Sequence, residues 1–308
     1  MMWMNAAGLT KKRTNVGNAP FSNVIIPIHA EIFQSAFVDA ARATQGVVEY
    51  FCCIVGKVIR ICFAGSAMVP KIMPALECHR LATNALNPLL PEFTIYVWDS
   101  ESTRTAMPPG HWTQDNSGLK GRIRHRSGSG VHTVFDADTG IVSMISVEEK
   151  LAVYWIQDFR KLPYYEMAAP LLTILHWWLK TQSCHLLHAA AVGKNDGGIL
   201  FVGRGGSGKS TIAFSCLQSP LFYASDDYCI AGNDFRPYVY SLYNSAKLDQ
   251  YSMNHFPQLV PEIKNHNEFP QEKGILFLHE KYADKLIAGF PLKAILIPKI
   301  TQFEPMLR

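Results

Sequence analysis

Residues 203–211 read Gly-Arg-Gly-Gly-Ser-Gly-Lys-Ser-Thr, and they restrict what the chain can fold into more than any other stretch of it. Gly203, Gly205, Gly206, Ser207, Gly208, Lys209, Ser210 and Thr211, with Arg204 among them, fill the pattern G-x-x-x-x-G-K-[ST] without a gap. Apolar Ile199, Leu200, Phe201 and Val202 precede the loop and TIAFSCL follows it, so the expected local structure is strand, loop, helix. The glycines let consecutive backbone N–H groups converge on one anion, a conformation that side chains would obstruct. A helix opening near Gly208 points its unpaired N–H groups and positive dipole end at the same place. In such a P-loop the Lys209 ammonium neutralises β- and γ-phosphates and the Ser210 hydroxyl can ligate Mg²⁺, so the expected ligands are ATP and Mg²⁺. A plain glycine-rich turn between a strand and a helix is the competing reading.

A second element follows within a helix length of the loop. YASDDYCIAG reads as a strand ending at the acidic pair Asp226 and Asp227. If the two strands are parallel, as in a right-handed strand–helix–strand unit, the pair lies on the same sheet edge as the loop and both carboxylates face the phosphates. One carboxylate can then join Ser210 on Mg²⁺, the role given to Asp226, while the other accepts a proton from an attacking hydroxyl. An exposed Asp-Asp turn is the alternative.

The rest of the chain divides at a composition shift near residues 161–165. Residues 1–22 are polar and aperiodic and read as a loose tail. Residues 23–160 read as a mixed α+β domain. VVEYFCCIVGKVIRICFAG breaks at Gly56 into two strands, and a helix is expected over residues 70–86, where Ile72, Leu76, His79 and Arg80 keep helical spacing. FTIYVWDS and LAVYWIQD alternate like strands, TVFDADTGIVSMISV reads as a hairpin, and residues 100–130 read as a polar loop. Residues 161–308 form the P-loop domain, entered by the amphipathic helix MAAPLLTILHWWLK, whose Trp177 and Trp178 suit packing. HLLHAAAV and GGILFVG are then two apolar strands joined by a turn.

Composition excludes several classes. A chain of 308 residues, 48% hydrophobic and 18% charged, suits one large folded domain or two modest ones. The net charge of +4 is too small an excess to argue for nucleic acid. The seven cysteines lie in apolar runs without zinc-ligand spacing and read as buried thiols of a reducing compartment. The N-terminus lacks the charged start and apolar core of a secretory signal, and the longest apolar helical run is too short for a bilayer. The expectation is a cytoplasmic protein with no membrane partner.

The run HLLHAAAVGKNDGGILFVGRGGSGKSTIAFSCLQSPLFYASDDYCIAG resembles the catalytic domain of HPr kinase/phosphorylase and its relatives, some linked to lasso and other modified-peptide biosynthesis. The resemblance covers about residues 184–300 and rests on a histidine, a P-loop and an Asp pair recurring in that order. It implies an α/β fold whose C-terminal domain is of the HPr kinase/PEP carboxykinase-like type. It also implies an ATP-dependent kinase acting on a serine of a peptide or small protein, and self-association into a homo-oligomer. By the same resemblance His188 lies beside the phosphates, although a histidine in an apolar strand also reads as a core residue. The base is Asp227 in preference to Asp226, and Lys247 of SLYNSAKLD either approaches the phosphates or is a surface lysine opening a helix.

The chain departs from the family pattern in three places. Arg204 and Thr211 stand where the regulatory kinase carries acidic residues, the arginine-bearing loop tied to phosphorolysis has no match, and the chain ends soon after PLKAILIPKI, as in a shortened catalytic domain. Two other functions compete with peptide phosphorylation: a nucleotide-binding sensor or assembly protein without transfer, and a kinase for a small metabolite such as free serine.

Overall fold

The computed structural model describes residues 30–82, 90–108, 122–127, 130–232, 235–267, 269 and 271–299. The N-terminal tail, the end of the helix expected over residues 70–86 and much of the polar loop lie outside these residues. Among the described residues no helix is long and apolar enough to cross a membrane.

Near-continuous apolar runs put strands at the centre of the first half. The half opens with α1 (Ala30–Arg42), the hairpin β1 (Val47–Ile54) and β2 (Lys57–Ala64), and α2 (Val69–Leu76). β3 (Phe93–Asp99), α3 (Ser100–Thr103) and β4 (Arg122–Ser127) follow, then β5 (Val131–Asp136), β6 (Ile141–Ser146) and β7 (Leu151–Ile156). They form one sheet in the order β1-β2-β3-β7-β6-β5-β4, parallel at β2/β3 and β3/β7 and antiparallel elsewhere. The central strands are buried on both faces, as parallel strands require. α1 lays Phe33 and Phe37 against Trp98 on one face, and α2 lays Ile72 and Leu76 on the other.

Three expectations are corrected, two for this half and one for the next. The polar loop of residues 100–130 contains α3 and the edge strand β4. The helix from residue 70 leaves α geometry at Leu76 and closes with a 3-10 turn, Glu77–His79; Pro74, which lacks an N–H, stands in its last turn. The entry helix of the second half is two pieces, α4 (Tyr164–Ala168) and α5 (Leu172–Thr181). Pro170 cannot donate to the helical ladder, and Leu171 turns into the left-handed region at φ 58°. Trp178 is buried and stacks on Phe93 at 5.8 Å between centroids, while Trp177 lies against His132.

The second half holds β8 (His185–His188), β9 (Ala190–Lys194), β10 (Gly197–Phe201), α6 (Lys209–Ser215), β11 (Phe222–Ser225), β12 (Tyr228–Gly232) and β13 (Tyr238–Ser241). β14 (Ser245–Leu248), α7 (Gln250–His255), β15 (Gly274–Phe277), α8 (His279–Tyr282) and β16 (Gly289–Leu296) complete it. HLLHAAAV is therefore two strands, divided at Ala189. The sheet order is β11-β9-β10-β16-β13-β12-β8, and β14 pairs with β15 in a separate two-stranded sheet.

The ends of that order are covalently tied to its interior. Ala189 joins β8 to β9, Asp226 and Asp227 join β11 to β12, and β9 and β8 pair antiparallel with β11 and β12. The Ala189 N–H donates to the Asp227 carbonyl at 2.9 Å, which carries the ladder through the junction. The pairings thus form a ring, and the ring bends at Ala189, Asp226 and Asp227. One apolar core, running from Cys52 to Phe277, joins the two halves through α5 and α2.

Candidate functional site

The glycine-rich segment leaves the buried end of β10 and enters α6. Gly206 at φ +75° and Gly208 at φ +91° occupy the left-handed region that favours glycine. Gly203, Arg204, Gly205 and Gly206 are exposed, and no side chain caps the start of α6. Lys209 is only 6% exposed. Its ammonium donates to the carbonyls of Gly203 at 2.9 Å and Arg204 at 3.1 Å, so the loop wraps its own cation. The Ser207 hydroxyl is buried beside Gly203 with no hydrogen-bond partner among the described residues. Ser210 and Thr211 are partly buried in the first turn of α6.

β10 and β11 are each antiparallel to β9, and so parallel to each other, with β9 between them. Phe201 faces Ala190 and Ser225 faces Ala191, so both strands finish at one edge. Two strand spacings separate these ends, roughly 10 Å. α6 packs on β9, β11 and β14, which brings the helix bearing Lys209 against the strand bearing Lys247.

The two carboxylates diverge in environment. Asp226 is 3% exposed, with Oδ1 accepting from the Tyr223 hydroxyl at 2.9 Å and Oδ2 from the Lys247 N–H at 3.3 Å. Burial first, and then the neighbouring Asp227 charge, push its pKa from 3.8 to about 6. Burial and the same Asp226 charge raise the Tyr223 phenol well above its ordinary range, so Tyr223 stays a donor. Asp227 keeps its side chain 22% exposed. His188 Nε2 lies 2.8 Å from Asp227 Oδ1 and Lys247 Nζ lies 2.6 Å from Asp227 Oδ2. Tyr228 backs both partners, its ring 5.5 Å from that of His188 and 5.8 Å from the Lys247 ammonium. A cavity of about 10 Å³ beside Asp227 and Lys247 has room for about one water molecule.

His188 is thus not a core histidine, since its side chain is 59% exposed on the last residue of β8. Lys247 sits in β14 and opens no helix. Sequence reasoning passed over Tyr223, Tyr228, Asn244 and Ser245. Tyr223 carries a faint signal, a large polar-tipped residue in an otherwise small and apolar strand, three positions before a buried acid. The others carry none, because their roles depend on β14 arriving from more than a dozen residues away.

The fold and site define a mixed α/β protein with mixed sheets, in which a glycine-rich strand–helix loop and a cation-flanked carboxylate share one sheet edge. Neither the known protein families nor the curated proteins include a match to this chain.

Proposed function

We propose that the chain is an ATP-dependent kinase that transfers the γ-phosphate to a serine-type hydroxyl of a peptide or small protein. The observation that carries this reading is the partly exposed Asp227, held between His188 and Lys247 on the edge where the 203–211 loop ends. The loop glycines and the first turn of α6 offer N–H donors to the phosphates, and Lys209 exchanges the carbonyls of Gly203 and Arg204 for phosphate oxygens. Asp227 accepts the hydroxyl proton as the oxygen bonds to the γ-phosphorus and the bond from that phosphorus to the ADP oxygen breaks. Lys247 and His188 fix the carboxylate at both oxygens, so it is already aimed when the acceptor arrives.

The oxygen donors fit Mg²⁺ in kind. Ser210 and Asp226 would hold it, because a carboxylate oxygen that accepts one hydrogen bond keeps a further lone pair. When bound, Mg²⁺ neutralises charge on the phosphates. The choice of a peptide serine comes from the resemblance to HPr kinases, since no surface of the site by itself selects an acceptor.

Transfer of labelled phosphate from ATP to serine-containing peptides tests the reading. Asp227→Asn should lower transfer by roughly 10²- to 10⁴-fold with nucleotide binding retained, and Lys209→Ala should weaken nucleotide binding itself. Full transfer by Asp227→Asn would remove the base assignment. One observation favours a nucleotide sensor without transfer: both Asp227 oxygens already have partners, His188 at 2.8 Å and Lys247 at 2.6 Å, so an acceptor hydroxyl must share or displace one of them. Tight ATP binding with no transfer to peptides or to free serine would select that reading.

A further inference from the structure

Among the described residues β14 belongs to neither large sheet and pairs only with β15. The ring's own ladder therefore does not fix where β14 lies, although β14 supplies Lys247 to Asp227. Part of what fixes it comes from the other half. α2 stops at Leu76, so the carbonyls of Pro74 and Ala75 lie in its last turn, where a helix runs out of its own N–H donors. Asn244, 1% exposed, takes both: its Nδ2 donates to the Pro74 carbonyl at 2.8 Å and its backbone N–H to the Ala75 carbonyl at 3.0 Å. Its own carbonyl accepts from the Leu278 N–H at 2.9 Å and its Oδ1 from the His279 N–H at 3.4 Å. Every hydrogen-bonding group of this buried amide is engaged.

The flanking residues are tied within the second half, to the end of α4 and the link between α4 and α5. The Tyr243 hydroxyl donates to the Pro170 carbonyl at 2.7 Å, and the Ser245 hydroxyl donates to the Ala168 carbonyl. The Ser245 carbonyl in turn accepts a second contact from the Tyr223 hydroxyl at 3.2 Å, the group that holds Asp226. Two residues further on, Lys247 contacts Asp226 through its backbone and Asp227 through its ammonium.

We propose that Asn244 is a positioning residue through which the N-terminal half sets where Lys247 holds Asp227. This rests on the reading of Asp227 as the proton acceptor, and it assigns the N-terminal half a part in phosphate transfer. A misplacement of β14 by about 1 Å is enough to lower turnover on the order of 100-fold. Nucleotide binding should be spared, because among the described residues no hydrogen bond joins the 203–211 loop to Asn244 or its neighbours.

Asn244→Ala and Asn244→Asp in the full chain test this, with Asn265→Ala as a control. Asp keeps the acceptor for His279 but turns a second acceptor toward the Pro74 carbonyl, so it should act like Ala. Asn265 closes a turn onto Lys273 and Ile275 beside β15 and has no bond to α2. Both Asn244 variants should lose roughly 10- to 100-fold in kcat with KM for ATP nearly unchanged, and their crystal structures should show the Lys247–Asp227 pair longer than 2.6 Å. Asn244→Ser, which keeps a short donor and acceptor at the site, should lengthen the pair less and serves if the other variants do not fold. Unaltered kcat and an unaltered Lys247–Asp227 pair in folded variants, or an equal change in Asn265→Ala, would overturn the proposal. If the wild-type protein transfers phosphate to no acceptor, the kinase reading fails, and the Lys247–Asp227 distance alone still decides the positioning.

Discussion

Replacing Asp226 by Asn should make the protein more stable at neutral pH and remove a part of its pH dependence. Asp226 is buried beside a second carboxylate, and its pKa rises from 3.8 to about 6. The folded state therefore keeps a proton that the unfolded chain has released. As pH rises from about 4 to about 6 the stability contributed by this proton is lost, and above about 6 the loss is complete, on the order of 3 kcal/mol as an upper figure. Asn fits the same space. Its oxygen accepts from the Lys247 N–H, and the Tyr223 hydroxyl turns its proton to the Ser245 carbonyl, already 3.2 Å away, and accepts from the new amide.

Urea denaturation of both proteins at pH steps from 4 to 8 measures the difference directly. Asp249 and Asp158, whose carboxyl pKa values are depressed by hydrogen bonds to Ser252 and Arg160, push stability the other way over the acid range, and they cancel in the comparison. The variant should be equal to or weaker than the wild type near pH 4 and stronger by about 1–3 kcal/mol at pH 7.5. A constant difference across the range, or a variant weaker at pH 7.5, would refute the claim that Asp226 is held as a costly buried anion.

Two further outcomes follow from backbone and packing. Gly208→Ala should cost about 1–2 kcal/mol, because φ +91° places a Cβ against the following carbonyl, although the space around it is open; thermal unfolding checks this, and a neutral effect would mean the loop relaxes into another conformation. Trp178→Ala should cost about 3–5 kcal/mol by emptying the stack on Phe93 in the core shared by both halves, whereas Trp177→Ala, at a half-buried site, should cost less; equal losses in denaturant titrations would contradict this packing.

Local pattern was enough for the loop, for most strands and for the acidic pair. Alternation and apolar runs located β1, β2, β3, β5, β6 and β7, because a strand's period depends only on its own residues. The two helices read too long both contain proline, a local signal that amphipathic spacing had outweighed. The pairing partners of these strands were not legible, since β9 enters between β10 and β11 and the ring closes through residues far apart in the chain.

Four side chains show the division most clearly. From sequence, Asp226 and Asp227 were two acids at a strand end, His188 had two readings and Lys247 two more. Tertiary structure separated the acids, burying Asp226 under Tyr223 and leaving Asp227 between His188 and Lys247. The physical reason is that charge, burial and hydrogen bonding at a carboxylate are set by whatever packs within a few ångströms of it. Here those neighbours come from β8, β11 and β14, whose closeness no local pattern encodes. Spacing along the chain put two acids at one strand end, and the fold determined which of them stays within reach of solvent.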